Sequence, residues 1–226
     1  MASLAVGTTM LRTLPLLSRL SDRELVELIP RIQHRSYPRH TLMLRAGEKS
    51  DALYIIVSGK AKILVDDGDG REVTFTSIGS GELFGEMSFA DEKPRSASVQ
   101  ALEPCEVLYI PRSALLECLK HNFDAAMYVL KIAVARLRQA DLKIASLALM
   151  DVRGRVARLL IDLAHDVNGV CIVDTGAEEI ARMVGASREM VSRVVKEMAE
   201  RGLVKRHKRK IIVLDRASLP QLGIVH

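Results

Sequence analysis

The sequence predicts an α+β protein in three parts: a β-rich N-terminal half, one long helix, and a small mixed domain at the C-terminus. Short apolar runs separated by glycine turns fill residues 41–111, and a stretch almost free of glycine and proline follows over residues 113–150. Short helices and a basic hairpin then end the chain. We therefore expect domain boundaries at 1–112, 113–150 and 151–226.

The first part has the pattern of an all-β domain preceded by short helices. Its β-branched and apolar runs are ALYIIV, AKILV, VTFTSI and CEVLYI, with glycine-bearing turns about every ten residues. Strands of this length and spacing are typical of a sandwich, jelly roll or barrel and not of alternating strand–helix units. The DDGDG segment predicts a hairpin turn. We expect a β-roll here.

The long helix carries a heptad seam, because its apolar positions alternate in spacing between three and four residues. This seam favours a homodimer joined by a two-helix coiled coil, although a helix packed on its own domain is the alternative. Asp141 interrupts the seam, and a buried carboxylate needs a partner. That partner is either a bound ligand or a nearby Arg138 or Lys143. The seam positions are Met127, Leu130, Val134, Leu137, Asp141, Ile144 and Ala148.

Helix-boundary signals divide the last part into three helices. The first starts after Asp151, as N-cap, and ends near Asn168–Gly169, and a capping box at Thr175–Glu178 starts the second. The second helix stops at Gly185, and Ser187 caps the third. Two short helices joined by a tight glycine turn form a helix-turn-helix, whose second helix enters the major groove of DNA.

The last of these helices has two distinct faces. Its apolar face carries Val191, Val194, Val195 and Met198. Arginine offers a donor fork to guanine, and glutamate accepts from cytosine, so the polar face is suited to bases. A salt-bridged solvent helix with a Glu189–Arg193 pair is the alternative. The segment LVKRHKRKIIVL predicts a wing, with Lys208 at the phosphate backbone. The predicted DNA-binding residues are Arg188, Glu189, Ser192, Arg193, Lys196 and Lys208.

Charge is concentrated in the same region. The whole chain carries +5, whereas the segment from Arg182 to Lys210 carries +7, which leaves −2 for the remainder. This distribution favours a polyanion partner for the C-terminal part, a solvated basic tail being the alternative.

The sequence shows no clear sign of a metal site, a membrane segment, an export signal or a catalytic site. The three cysteines are scattered, without metal-ligand spacing, and no apolar run reaches the roughly 18 residues of a membrane helix. The N-terminus lacks the features of a signal peptide. We therefore expect a cytoplasmic protein that is not an enzyme, since no nucleophile–base constellation is evident.

The segment EEIARMVGASREMVSRVVKEM closely resembles the helix-turn-helix of the CRP/FNR superfamily, and the resemblance extends from about Leu16 to Leu214. It implies a bacterial-type homodimeric transcription regulator with a β-roll, a dimerisation helix and a winged helix. By this resemblance Arg188, Glu189 and Arg193 contact bases in a two-fold symmetric site with TGTGA-like half-sites. RNA polymerase is the further partner that it implies.

A second segment, GELFGEMSFADEKPRSASV, resembles the phosphate-binding cassette of cyclic-nucleotide domains. The resemblance implies that Arg95 neutralises the phosphate and that Glu86 accepts from a ribose hydroxyl. Ala140 and Asp141 stand where members that respond to cyclic AMP usually carry Thr and Ser against adenine. The predicted ligand-binding residues are Phe84, Gly85, Glu86, Met87, Arg95, Ser96 and Asp141.

Cyclic AMP is the first choice of effector, and no tightly bound cofactor is expected. A regulator of this family that responds to cyclic di-GMP, to a haem-bound gas or to no ligand is the first alternative. A cyclic-nucleotide module that regulates an enzyme partner is an alternative of a different class.

Overall fold

The computed structural model describes residues 8–49, 51–68, 72–207 and 210–219. Within these residues the helices are α1 (Thr8–Leu11), α2 (Asp22–Leu28), α3 (Glu86–Asp91), α4 (Arg112–His121), α5 (Phe123–Leu149), α6 (Val152–Leu163), α7 (Ala177–Val184) and α8 (Arg188–Glu200). The strands are β1 (Gln33–Tyr37), β2 (Leu42–Leu44), β3 (Ala52–Ser58), β4 (Ala61–Asp66), β5 (Glu72–Ile78), β6 (Leu83–Phe84), β7 (Ser98–Ala101), β8 (Cys105–Pro111), β9 (His165–Val167), β10 (Val170–Val173), β11 (Val204–His207) and β12 (Lys210–Val213).

Two antiparallel sheets build the N-terminal domain, with strand orders β1-β8-β3-β6 and β2-β7-β4-β5. Side chains from both sheets, such as Tyr54, Val99 and Val107, share one buried core. Since alternate residues of a strand point to one face, each sheet supplies an apolar face to this core. The four predicted strand runs are confirmed as parts of β3, β4, β5 and β8.

A second core lies under the N-terminal helices. Helix α2 begins with a capping box, in which the Ser21 side chain and Glu24 bond each other's backbone N–H groups. Buried leucines of this segment pack against α4 and the sheet residues Leu53 and Leu108. Each fully buried leucine stabilises the domain by about 1.5–3 kcal/mol.

The predicted single helix over residues 113–150 is wrong at its start, because the chain forms two helices that meet at Asn122. Asn122 has an extended backbone, and its Oδ1 accepts a hydrogen bond from the Ala125 N–H at 2.9 Å. Its Nδ2 also donates to Glu24 Oε2 at 2.9 Å. The side chain thus caps α5 and ties the break to α2.

Contacts divide the chain into two compact units, and the second contains residues from Gln139 onward together with Asp66–Val73. In it, α6, α7 and α8 pack with a sheet of order β11-β12-β10-β9. Its core includes Leu160, Ile180 and Val195. Helix, strand and wing elements therefore appear in the predicted order.

Two predicted details of this unit are wrong. Helix α6 ends at Leu163, and His165–Val167 instead forms β9, paired with β10 across the turn at Asn168 and Gly169. Both turn residues have positive φ, as an Asn-Gly hairpin requires. Helix α7 has Gly176 as its N-cap, without a side-chain hydrogen bond.

The predicted capping box at Thr175–Glu178 is therefore wrong. Glu178 accepts a hydrogen bond from Arg182 Nη2 at 2.8 Å, one turn later on the same helix. The other two predicted caps are confirmed. Asp151 Oδ1 accepts from the Gly154 N–H at 2.7 Å, and Ser187 Oγ accepts from the Met190 N–H at 3.2 Å.

Candidate nucleotide cassette and DNA-reading face

The segment that resembles a phosphate-binding cassette, residues 81–99, contains the turn between β6 and α3. Gly85 joins the two elements with φ +83°, a left-handed conformation that side chains other than glycine rarely adopt. A Cβ at this position would also overlap the Arg95 guanidinium. Both the backbone and the space therefore require glycine here.

Arg95 is buried within the β domain at 4% exposure. Its Nη1 donates to the Gly85 carbonyl at 2.7 Å, and its Nη2 donates to the Ala52 carbonyl at 2.8 Å. The guanidinium also lies 5.6 Å from the centre of the Tyr54 ring. Burial lowers the pKa of Arg95, while nearby Tyr54 and Glu86 oppose this shift. Because arginine titrates so far above neutral pH, the domain holds a fixed positive charge.

Glu86, the first residue of α3, is equally buried at 3% exposure. Arg136 of α5 forms an ion pair with its Oε2 and also donates to the Leu83 carbonyl. A buried carboxylate is tolerated when it is paired and hydrogen-bonded, and Arg136 provides both interactions. The carboxylate of the cassette is thereby linked directly to the long helix.

Sequence reasoning missed Arg136. The one available signal was its place on α5, since the helical repeat puts it roughly 120° away from the apolar seam. A basic residue on that side of the helix faces neither the seam nor a sequence-adjacent acid, which indicates a partner elsewhere in the fold.

The remaining cassette residues lie around these charges. Phe84 is fully buried and stacks on Tyr54, with ring centres 5.0 Å apart. Met87 and Ser96 are exposed, and Ser96 Oγ lies 3.3 Å from Met87 Sδ. Six of the seven predicted ligand residues thus lie in one β domain. The seventh, Asp141, is exposed on α5 within the second unit.

The DNA-reading face is defined here as Arg188, Glu189, Ser192, Arg193 and Lys196 of α8. All of them are exposed except Ser192, which is half-buried. On the other side of α8, Val191, Val194, Val195 and Met198 are at most 8% exposed. The turn before the helix has Gly185 at φ +66°. The two-faced helix predicted from the spacing is therefore observed.

Ion pairs on α8 leave this face accessible. Across the described part of the chain, no ion pair joins Glu189 to Arg193, whereas Lys196 Nζ lies 3.8 Å from Glu200 Oε1. A contact that the sequence did not reveal anchors the helix from behind. Glu197 accepts from Arg153 of α6 at 2.8 Å and from Arg201 at 2.9 Å.

The wing is the hairpin of β11 and β12, which pair in antiparallel register from Val204 with Val213 to His207 with Lys210. Its outward side chains Lys205, Arg206 and His207 are exposed. Lys208, the predicted phosphate contact, lies outside the described residues.

Neither a membrane span nor a metal site is found in the ranges that the structure describes. No helix there is both long and apolar enough to cross a bilayer. No group of three or more His, Cys, Asp or Glu side chains there has the arrangement of metal ligands.

Two family models match the chain. Residues 34–122 match the cyclic nucleotide-binding domain, and residues 154–222 match the Crp-like helix-turn-helix domain. The first match contains the cassette, and the second contains α7, α8 and the wing. The fold class predicted from the sequence, with a β domain, a long helix and a helix-turn-helix, is confirmed.

Curated relatives and solved structures agree with these matches. The cAMP-activated global transcriptional regulator Vfr of Pseudomonas aeruginosa is 36% identical over 192 residues, covering 80% of this chain and 89% of the relative. The Cyclic AMP receptor protein of Thermus thermophilus is 34% identical over 209 residues, covering 92% and 96%. The structure of the c-di-GMP responsive global regulator CLP of Xanthomonas campestris matches with a TM-score of 0.74 and 26% identity, covering 85% of this chain and 99% of that one.

Relatives above 30% identity that align over most of both chains share a family and not merely a fold. The chain therefore belongs to the CRP/FNR family and is a DNA-binding transcription regulator with a cyclic-nucleotide-binding domain.

Proposed function

We propose that this protein acts as a homodimer whose affinity for specific DNA is controlled by a cyclic nucleotide bound in the β domain. The observation that carries the proposal is the pair of buried charges in the cassette, Arg95 and Glu86. Arg95 is only 4% exposed, and arginine is rarely buried this deeply in a protein core. A phosphodiester is the kind of anion that such a fixed donor fork recognises.

Each cassette residue has a role in this proposal. Arg95 neutralises the phosphate, with Ser96 and the backbone at Gly85 as further donors. Glu86 accepts from a ribose hydroxyl, the exposed Met87 borders the sugar, and Phe84, fully buried against Tyr54, supports the turn at Gly85. Because Arg136 holds the same carboxylate, a ligand at Glu86 alters the contact between the cassette and α5. Ligand binding is in this way coupled to the long helix.

Cyclic AMP is the first ligand to test, since the Pseudomonas and Thermus relatives are named for it. The Xanthomonas structure is titled for cyclic di-GMP, which makes that dinucleotide the second. Isothermal titration calorimetry of nucleotide-free protein with cyclic AMP, cyclic GMP and cyclic di-GMP tests the proposal. Binding of at least one supports it, whereas heat of binding from none of them contradicts it.

The seam of α5 supports a second copy of this chain as its partner. Leu130, Val134, Leu137 and Ile144 are 51%, 40%, 61% and 64% exposed, a row of apolar side chains that a single chain leaves in water. Phe123, at 76% exposure, extends the same alternating spacing by one position, and the sequence reasoning missed it. A heptad row of this kind buries itself best against an identical helix.

A homodimer presents two DNA-reading faces to the two halves of a symmetric site. In helix-turn-helix dimers the half-sites lie one helical turn apart, a geometry that is well known for the catabolite activator protein. We expect TGTGA-like half-sites, contact with RNA polymerase beside them, and action in the cytoplasm. The β domain would act here as the regulatory part of a DNA-binding protein and not of an enzyme.

Arg193→Ala tests the assignment of base contacts. Loss of a donor fork to guanine should cost about 1–3 kcal/mol on the specific site and relax selectivity at one base pair. The measurement is fluorescence anisotropy with the symmetric duplex and with duplexes that change one guanine at a time. Equal affinity of parent and variant for specific and scrambled duplexes would show that Arg193 reads no base.

Lys208→Ala is the matched comparison for a contact to phosphate. This variant should weaken binding to specific and scrambled duplexes by the same factor and make the salt dependence shallower. A loss confined to the specific duplex would contradict the predicted role of Lys208.

A further inference from the structure

An ion pair joins the wing to the strand that precedes the helix-turn-helix. Asp174 directly follows β10, and Lys210 is the first residue of β12. Lys210 Nζ lies 2.7 Å from Asp174 Oδ1, while His165 Nε2 of β9 lies 3.2 Å from Asp174 Oδ2. All three residues belong to the second unit, which also contains α8. Two basic side chains therefore share one carboxylate close to the wing.

Strand register explains why this pair forms. The antiparallel ladder of β10 and β12 pairs Val173 with Ile211, so the next two residues along it, Asp174 and Lys210, stand opposite each other. Since side chains alternate between the faces of a sheet, the buried Val173 and Ile211 point into the core and the ion pair points away from it. Its two side chains are 47% and 54% exposed, so a second anion can reach the lysine.

The outer face of this sheet, defined here as the side chains that point away from its core, is basic. His207 of β11 stands opposite Lys210 in the register, and Lys205 lies on the same face two residues earlier. The register of β9 with β10 adds His165. Among the described side chains that the register assigns to this face, Asp174 is the one acid. Such a face attracts a polyanion, and Asp174 opposes that attraction.

A DNA phosphate and this carboxylate would compete for the same lysine. The hydrogen bond from Lys210 lowers the pKa of Asp174, so the carboxylate is ionised at neutral pH. An exposed ion pair is weak, because water solvates both of its charges, and a phosphate can therefore displace the carboxylate. A free lysine gains affinity for DNA by releasing counterions, whereas a lysine already neutralised by Asp174 releases few. The pair thus weakens a contact to phosphate without preventing it.

We propose that Asp174 competes with the phosphate backbone of DNA for Lys210 and thereby lowers the affinity of this protein for DNA of any sequence. This inference uses the DNA-binding function of the family, and it requires neither the proposed effector nor the proposed homodimer. Phosphate contacts supply nearly all of the affinity for non-specific DNA, so the ion pair limits how strongly the protein is held outside its own sites. Base contacts by α8 do not involve Asp174, so the ratio of specific to non-specific affinity stays the same.

The decisive variant is Asp174→Asn, which keeps the size of the side chain and removes its charge. Fluorescence anisotropy compares full-length parent and variant on the symmetric and the scrambled duplex across a salt series. The variant should bind both duplexes about 3–10-fold more tightly at low salt, with a salt slope steeper by about 0.9 for each additional phosphate contact. Asp162→Asn is the matched control, because the Asp162 side chain is 51% exposed and pairs with Arg158 within α6. This control makes the same change in net charge, frees no lysine of the wing and should bind DNA as the parent does.

A second substitution, Lys210→Ala, shows whether the effect passes through the lysine. In a Lys210→Ala background, Asp174→Asn should give little gain in affinity, since no lysine remains to be released. A full gain in that background would show that Asp174 acts by its own charge, and it would overturn the competition for Lys210. Unchanged or weaker binding by an Asp174→Asn protein that thermal melting shows to be folded overturns it too. These results leave sequence-specific DNA binding and the proposed effector intact, whereas a parent that binds neither duplex refutes the inference together with DNA binding itself.

Discussion

Leu137→Glu should separate the proposed homodimer into monomers and abolish specific DNA binding in the same variant. Leu137 is 61% exposed in one chain and lies at the middle of the seam. In a coiled coil the substitution would place two carboxylates against each other in an apolar layer, where neither has a partner. Since one winged helix contacts only one half-site, the monomer retains mainly the sequence-independent attraction to phosphate. Affinity for the symmetric site should fall by about 10³-fold or more.

Sedimentation velocity at micromolar concentration and anisotropy with the symmetric duplex measure the two effects. Leu142→Glu is the matched control, because Leu142 is 71% exposed on the same helix but lies about 120° from the seam. The control should remain dimeric and bind DNA as the parent does. A Leu137→Glu protein that is still dimeric, or a parent that is monomeric, would rule out the seam as the dimer interface.

Short-range patterns predicted much of this fold. The apolar runs between glycine turns correctly predicted β3, β4, β5 and β8. The helical spacing of the valines on α8 correctly predicted its buried face. These predictions succeed because apolar residues that repeat every two residues in a strand, or every 3.6 in a helix, identify the side chains that are buried. The helix-turn-helix was predictable for the same reason.

Helix ends were harder, since one local signal can support two structures. Asn168–Gly169 terminates many helices, but it also forms the tightest hairpin turns, and the pairing of β9 with β10 selects the hairpin. At Thr175 the capping pattern was present, yet the N-cap of α7 is Gly176, one residue later, and the helix begins at Ala177. The break at Asn122 depends on a hydrogen bond to Glu24, which is remote in sequence.

In the candidate sites, too, local features were predicted from the sequence and contacts between distant segments were not. The glycine and arginine of the cassette follow a recognisable local motif, whereas Arg136 reaches Glu86 across 50 residues of sequence. The ion pairs of Glu197 with Arg153 and Arg201 connect α6 to α8 in a similar way. No spacing rule reports contacts between distant segments, because their meeting depends on the whole fold.

The second large effect is expected from Arg95→Ala, which should abolish binding of every cyclic nucleotide. We propose that the Arg95 guanidinium contacts the phosphate of the ligand. Two hydrogen bonds from it to a charged oxygen would contribute about 3–6 kcal/mol to binding. Affinity should therefore fall by at least 10²-fold, below detection by calorimetry. Binding of DNA in the absence of ligand should remain, since α8 and the wing belong to the other unit.

Two further variants separate lost recognition from lost folding, since Arg95 also holds the carbonyls of Gly85 and Ala52. Arg95→Lys keeps the charge without the fork, so it should bind more weakly than the parent but more tightly than the alanine variant. Arg23→Ala, at a guanidinium whose side chain is 88% exposed, should bind as the parent does. Thermal melting of each variant checks the fold. If folded Arg95→Ala binds every tested nucleotide as well as the parent, the cassette does not hold the phosphate, and only the DNA-binding function remains.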